Sequence, residues 1–282
     1  MFAALRQLLC FDSFCRIIII TTGIPIPTCE WIRPKTERVH LTRNGSIEIM
    51  AKEKQASILD YYQFDSVAGT ELRRLLHNVT RPIKGVTPRS ILVTSAITGE
   101  GKSTIAALLA ITSAHHKKSK TLLIDSDLRR PVVHEMFGIE NNVGFAEMLT
   151  EQVEFEATLK STRLENLWLM PAGSAEGNPT EMIREDMVRK VIERAEFSFD
   201  LVFVDCAPII PVSDPAIISS SVDGVVMVIR AGRTQKEVVQ RARDIITKAE
   251  ANIIGLILNN VQGALPYHYG NEYYGQYYSK KK

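Results

Sequence analysis

The sequence predicts an α/β fold, a mostly parallel sheet with helices on both faces. Three observations carry that prediction. Short apolar runs alternate with helical stretches from about residue 90 onward, the runs are nearly all apolar instead of alternating, and one feeds a glycine-containing loop that opens a helix. Composition permits it: of 282 residues, 45% are hydrophobic and 23% charged, enough to close a core in one large domain or two small ones. With 34 basic and 32 acidic residues the formal charge is only +2, which argues against nucleic acid held by bulk positive charge. Cysteines at 10, 15, 29 and 206 form no CxxC and no His/Cys cluster, so neither a disulfide framework nor a structural metal is indicated, and a reducing cytoplasm is expected.

The elements follow in chain order. Residues 1–49 are read as a poorly ordered N-terminal segment. Its most apolar stretch, Ile17 to Ile20, is too short for a membrane helix, Asp12 and Arg16 interrupt any signal-like run, and no run of eighteen apolar residues occurs in the chain. Met50 opens a more conventional sequence and is a candidate translation start, which N-terminal sequencing of the natural protein would test. Residues 50–89 are read as a helix and linker. From Ser66 to about Asn78 the spacing puts Leu72, Leu75, Leu76 and Val79 on one helical face with Thr70 as cap, and Pro82, Gly85 and Pro88 mark the linker.

Residues 90–262 form the main domain. Strands are predicted at 91–94, 121–125, 167–170, 201–205, 224–229 and 254–258, and helices at 102–116, 131–137, 143–150, 179–196, 213–221 and 234–250, long enough for right-handed crossovers. After Val261 the composition changes to GALPYHYGNEYYGQYYSKKK, and residues 263–282 are read as a flexible tail.

The segment ILVTSAITGEGKST passes from strand through loop to helix. It ends in Gly101, Lys102 and Ser103 as a Walker A loop does, with Ala96 where the strict pattern has its first glycine. Backbone N–H groups of such a loop and the helix N-terminus converge on phosphate oxygens, Lys102 neutralises β- and γ-phosphate charge, and the Ser103 hydroxyl ligates Mg²⁺. Thr98, Gly99, Glu100, Gly101, Lys102, Ser103 and Thr104 are the candidate nucleotide-binding residues. The bland alternative is a glycine turn with a helix-start lysine. Two further strands end in carboxylates: TLLIDSDLRRP carries Asp125 and Asp127, and FDLVFVDCAP carries Asp205. Any one of them alone could cap a turn. In a parallel sheet the carboxyl ends of the strands share one crevice, which would gather all three where the loop opens, in a P-loop NTPase-like fold.

SAITGEGKST, LLIDSDLRRP and LVFVDCAP resemble the Walker A, A′ and B motifs of the bacterial tyrosine kinases, autokinases of capsule and exopolysaccharide synthesis, and PAGSAEGNPTEMI is similar to that family's intervening segment. The resemblance covers residues 66–278, about three quarters of the chain. It implies ATP and Mg²⁺ as nucleotide and cofactor, Lys102 on phosphates, Ser103 and Asp127 on Mg²⁺, Asp205 supporting the metal through water, Asp125 accepting the tyrosine proton, and Asn259 on adenine. An aspartate near pKa 4 cannot deprotonate a tyrosine near 10 in the ground state, so that transfer is expected late in the reaction. Arg129 and Arg130 either pair with these carboxylates, bind an acidic partner or stay solvated; Cys206 is read as buried, and His115 and His116 as residues suited to a helix C-terminus.

Six of the eight tyrosines, Tyr267, Tyr269, Tyr273, Tyr274, Tyr277 and Tyr278, fall near the C-terminus. The resemblance implies that this cluster is autophosphorylated; a sticky low-complexity tail is the alternative. Sixteen residues span roughly 50 Å when extended, so reach does not separate reaction within one chain from reaction between chains. The resemblance also implies a membrane-anchored activator (a polysaccharide co-polymerase protein), a cognate tyrosine phosphatase, recruitment to the inner face of the cell membrane, and a homo-oligomer, for which the family's form is a ring. Glu71, Arg74 and His77 match the family's oligomerisation helix except that His77 replaces its last arginine. The competing reading is a switch ATPase of the partition or cell-division type. Its signature lysine would stand at Ile97, and it would have no tyrosine-rich tail. A nonenzymatic ATP-binding scaffold is a second alternative, opposed by intact Lys102, Asp125, Asp127 and Asp205.

Overall fold

The computed structural model describes residues 57–83, 85–174 and 177–260 (Val67 by its backbone), together with the backbone of residues 16–19, 40–41 and 47–48. The tyrosine cluster and most of the N-terminal segment lie outside the described residues. Ten strands occur among them: β1 Arg16–Ile19, β2 His40–Leu41, β3 Ile47–Glu48, β4 Ser90–Ser95, β5 Thr121–Asp125, β6 Lys160–Ser161, β7 Leu167–Met170, β8 Leu201–Asp205, β9 Gly224–Arg230 and β10 Ile253–Asn259. β2 and β3 form a small antiparallel pair, and the rest make one sheet in the order β1-β10-β9-β4-β8-β5-β7-β6. Every pairing in the large sheet is parallel except β6 with β7. All six predicted strands are present to within a residue or two. The sequence reading assigned no element before residue 66; the structure adds β1, paired in register with β10 from Arg16↔Gly255 to Ile19↔Leu258, and a short capped helix at Ile58–Tyr61.

Strand residues alternate between two cores, one on each sheet face. Leu92, Leu122, Ile124, Val202, Val204, Val225 and Met227 join Val188, Val191 and Ile192 of helix Glu185–Ser198 and Ala242 and Ile246 of helix Lys236–Lys248. On the opposite face Ile91, Val93, Leu123, Phe203, Val226 and Val228 pack with Ile105 and Leu109 of helix Lys102–Thr112 and with Leu72, Leu75 and Leu76 of helix Val67–Val79. Because both faces need apolar side chains, the strands read as continuous apolar runs. The early helix therefore shares a core with the P-loop helix.

Three boundaries differ from expectation. The early helix is capped by Ser66, not Thr70: Ser66 is extended (φ −82°, ψ 166°) and its Oγ accepts from Gly69 N, whereas Thr70 lies inside the first turn and its Oγ1 accepts from Arg73 Nη2. The single helix expected over 179–196 is two, Pro179–Met182 and Glu185–Ser198, because Ile183 and Arg184 take up non-helical backbone as Ile183 turns into the core. The P-loop helix ends at Thr112 and passes into a π-helical turn, Ser113–Lys117, where the His115 ring stacks on Phe64 and His116 Nε2 lies 2.9 Å from Arg73 Nη1.

Candidate active site

Strand order builds the site. β4, which feeds the glycine loop, lies beside β8, and β8 lies beside β5, so three motifs occupy three adjacent parallel strands. Asp125 and Asp205 are direct register partners, and Val93 pairs with Asp205. The predicted convergence of Asp125, Asp127 and Asp205 on the loop at the carboxyl edge is thus what the topology delivers.

Gly101 precedes the P-loop helix at φ 92°, a left-handed conformation, and a Cβ there would lie 2.4 Å from Asn259 Nδ2. Lys102 then turns its ammonium into the site: Nζ lies 2.9 Å from Asp127 Oδ2, 3.5 Å from Asp205 Oδ1 and 3.1 Å from Ser103 Oγ. Burial works against this charge, but the carboxylates of Asp205, Asp127 and Asp125 outweigh it and hold the ammonium above the ordinary lysine range. Thr98 and Gly99 are exposed, and Gly101, Lys102, Ser103 and Thr104 are partly exposed, so the loop presents itself to solvent at the helix N-terminus.

The three aspartates are all buried. Asp125 Oδ1 accepts from Asp127 N, and its Oδ2 accepts from Val132 N and Val133 N, which ties the end of β5 to the next helix. Burial, reinforced by the Asp205 charge, pushes Asp125 up to about 7 against the pull of the Val133 N–H and Lys102. Burial likewise raises Asp205, opposed by Lys102 and the Ser103 hydroxyl. Asp205 Oδ2 is buried without a hydrogen-bond partner. An orphaned carboxylate oxygen beside a serine hydroxyl at the mouth of a P-loop fits a site for a hydrated divalent cation. Among the described residues no group of three or more His, Cys, Asp or Glu side chains forms a metal cage. Mg²⁺ does not need one, since it keeps several waters and takes phosphate oxygens.

Two candidate nucleotide residues serve the loop's interior with their side chains. The Glu100 carboxylate accepts from Ile97 N through Oε2, and from Arg230 N and the Thr234 hydroxyl through Oε1. Asn259 Nδ2 donates to Glu100 O, and its Oδ1 accepts from Asn260 N. Both brace the phosphate loop against the sheet's far side. The sequence reading missed this brace because a glutamate in a glycine loop looks solvated; no local pattern marks it as buried. It also missed Asp214, a buried aspartate opening helix Asp214–Ser219, to which Arg129 Nε donates at 3.0 Å. Arg129 thereby pairs with a carboxylate other than the three motif aspartates. Cys206 is buried and its thiol is pushed up by that burial.

Comparison with known proteins decides the family. A ParA family profile described as "NUBPL iron-transfer P-loop NTPase" matches residues 87–275. Tyrosine-protein kinase YwqD of Bacillus subtilis is 35% identical over 187 residues, 66% of this chain and 78% of YwqD. The putative tyrosine-protein kinase CapB of Staphylococcus aureus is 30% identical over 230 residues, 79% of this chain and 100% of CapB. The chain belongs to the bacterial tyrosine kinases. The solved kinase domain of the Escherichia coli tyrosine kinase ETK superimposes with a TM-score of 0.69 at 28% identity, covering 78% of this chain and 87% of that one. As a bacterial tyrosine kinase the chain is a nucleotide-binding P-loop NTPase by fold, in agreement with the family profile. Among the described residues no helix is long and apolar enough to cross a membrane.

Proposed function

We propose that this bacterial tyrosine kinase is an ATP-dependent autokinase that phosphorylates its own C-terminal cluster, Tyr267, Tyr269, Tyr273, Tyr274, Tyr277 and Tyr278, and through it regulates polymerisation and export of a capsule or exopolysaccharide. The observation that carries the reading is the convergence of Lys102, Asp127 and Asp205 at the mouth of the phosphate loop. In phosphoryl transfer the phenol oxygen bonds to the γ-phosphorus, the bond to the β–γ bridging oxygen breaks, and ADP leaves. This reaction asks the protein mostly for alignment and charge neutralisation. Backbone N–H groups of residues 98–104 bind phosphate oxygens, and Lys102 neutralises them. Ser103 and Asp127 would hold Mg²⁺, with Asp205 behind a water, and the ion would supply neutralisation of the β- and γ-oxygens.

Asp125 takes the phenol proton. A carboxylate has about four lone-pair sites, and backbone N–H groups occupy three here, which leaves one for that proton. Its raised pKa makes it a better acceptor than a free aspartate and suits late transfer. With all six tyrosines modified the tail gains on the order of ten negative charges. Such a tail leaves a phosphate-filled site by repulsion, so it docks unmodified and releases when phosphorylated.

The same reading proposes work at the inner face of the cell membrane, with a membrane-anchored activator, a tyrosine phosphatase that resets the tail, and a homo-oligomer assembled through the helix bearing Glu71, Arg74 and His77. Glu71 and Arg74 already form an ion pair within that helix, and Arg74 and His77 are exposed. Nucleic acid is not proposed as a partner. The test is incubation with Mg-ATP, with and without the activator's cytosolic segment, followed by phosphotyrosine mapping. Signal in the tail that disappears in Lys102→Met and in a chain ending at Val261 is expected. Phosphotyrosine persisting in Lys102→Met would end the autokinase reading, and ATP hydrolysis without tyrosine modification would favour the switch ATPase.

A further inference from the structure

The turn after β9 is fastened to the phosphate loop by a buried carboxylate. Glu100 Oε1 accepts from Arg230 N at 3.1 Å and from the Thr234 hydroxyl, and Ala231 N donates to Asn259 O at 2.8 Å. Within the turn, Arg233 N and Thr234 N both donate to Arg230 O, and Gly232 takes φ 73°. The turn is therefore held at both ends, and Glu100, a residue of the phosphate loop itself, fixes where it sits.

What the turn carries is Arg233. Its side chain is exposed, and its Nη1 lies where an added Cβ on Gly99 would be 3.4 Å away. Several other arginines are tied to carboxylates, Arg129 to Asp214, Arg163 to Asp60, Arg189 to Glu185 and Arg194 to Glu156. The Arg233 guanidinium has no hydrogen-bond or ion-pair partner among the described residues. A planar, permanently charged fork held beside a phosphate-binding loop, with no carboxylate to occupy it, is suited to bidentate pairing with phosphate oxygens.

We infer that Arg233 is a nucleotide-contacting residue, reaching past Gly99 to pair with the polyphosphate from the side of the loop opposite Lys102's carboxylate cluster. The inference deepens the proposed nucleotide site and rests on that reading. It makes Thr234 and Glu100 positioning residues, which act by holding the turn.

The test uses the full chain, wild type, Arg233→Ala, Arg233→Lys and Thr234→Val, with unchanged melting temperature confirming the fold. Displacement of a fluorescent ATP analogue gives the Mg-ATP affinity, and autophosphorylation gives KM and kcat. Arg233→Ala is expected to weaken Mg-ATP about tenfold, the effect of losing one charge-assisted contact, with KM raised in step and kcat little changed. The gap from wild type should narrow as salt rises, because an exposed ion pair is screened. Arg233→Lys, which keeps the charge and loses the fork, should lie between, as should Thr234→Val, which only loosens the turn. Affinity in Arg233→Ala within twofold of wild type, or a gap indifferent to salt, would overturn the assignment while leaving the nucleotide site standing. Wild-type protein that binds no Mg-ATP would overturn the site and the inference together.

Discussion

Replacing Lys102 by methionine should cost stability as well as activity, and the cost should depend on pH. The ammonium sits 2.9 Å from Asp127 Oδ2 and 3.5 Å from Asp205 Oδ1, with side-chain exposures of 12%, 4% and 0% for the three residues. At an effective dielectric constant of about 20, unit charges at such separations attract by about 5–6 kcal/mol each, and desolvation cancels much of that gain. Removing one partner of a buried pair is different, since the other stays buried and uncompensated, at a cost of about 3–5 kcal/mol. In a domain of this size that lowers the melting temperature by about 6–20 °C.

The sign with pH follows from the carboxylates. Asp125 is held at about 7 when folded, against 3.8 in its ordinary state, and Asp205 is raised too. Without Lys102 both rise further. Between the unfolded and folded values the native state holds more protons, so stability falls as pH rises, and the penalty is complete above the folded values. Thermal unfolding of wild type and Lys102→Met at pH 5 and pH 8 tests this. The deficit should be large at pH 8 and shrink at pH 5, where Asp125 holds its proton. Equal melting temperatures at pH 8, or a deficit indifferent to pH, would refute the electrostatic account of the site.

Three other outcomes are expected. Gly101→Ala puts a Cβ at φ 92° and 2.4 Å from Asn259 Nδ2, so it should cost about 1–3 kcal/mol in denaturant unfolding and remove measurable nucleotide binding. Arg129→Ala strips the partner from Asp214, whose other oxygen is already unpartnered, and should destabilise by about 1–3 kcal/mol; an unchanged unfolding midpoint would count against the pairing. The pKa of His116 is lowered by burial, Arg73 and His115, with Asp65 opposing, so its contribution to stability is full above the unfolded value of 6.5 and is lost as pH falls through the folded value. His116→Gln should flatten that part of the melting-temperature profile between pH 7.5 and 5.5.

Much of this architecture was legible because burial on both faces leaves a plain trace. Ile91, Leu92 and Val93 are apolar in succession because successive side chains enter opposite cores. The convergence of Lys102, Asp125, Asp127 and Asp205 was legible for a similar reason, since each sits near the end of an apolar strand or at the start of a helix, positions that chain order alone exposes. What escaped was set by distant contacts. Glu100, read as a nucleotide-binding residue, is a buried brace with its side chain, because its partners, Arg230 and Thr234, come from far along the chain. Asn259, expected on adenine, has each polar end of its side chain on the protein backbone. Pairing of β1 with β10 depends on a long-range edge that four residues cannot announce. The break at Ile183 answers to the demand for one more apolar residue in the core, which helical periodicity does not encode.

A crystal structure of the chain with Mg-ADP puts the most direct question to the site. The account requires the β-phosphate within hydrogen-bonding distance of the backbone N–H groups of residues 99–103 and of Lys102 Nζ, with the metal on Ser103 Oγ and Asp127 and one of its waters reaching Asp205. Nucleotide bound away from this edge of the sheet, or phosphate on the loop with Lys102 still locked to both carboxylates and no metal between, would contradict it.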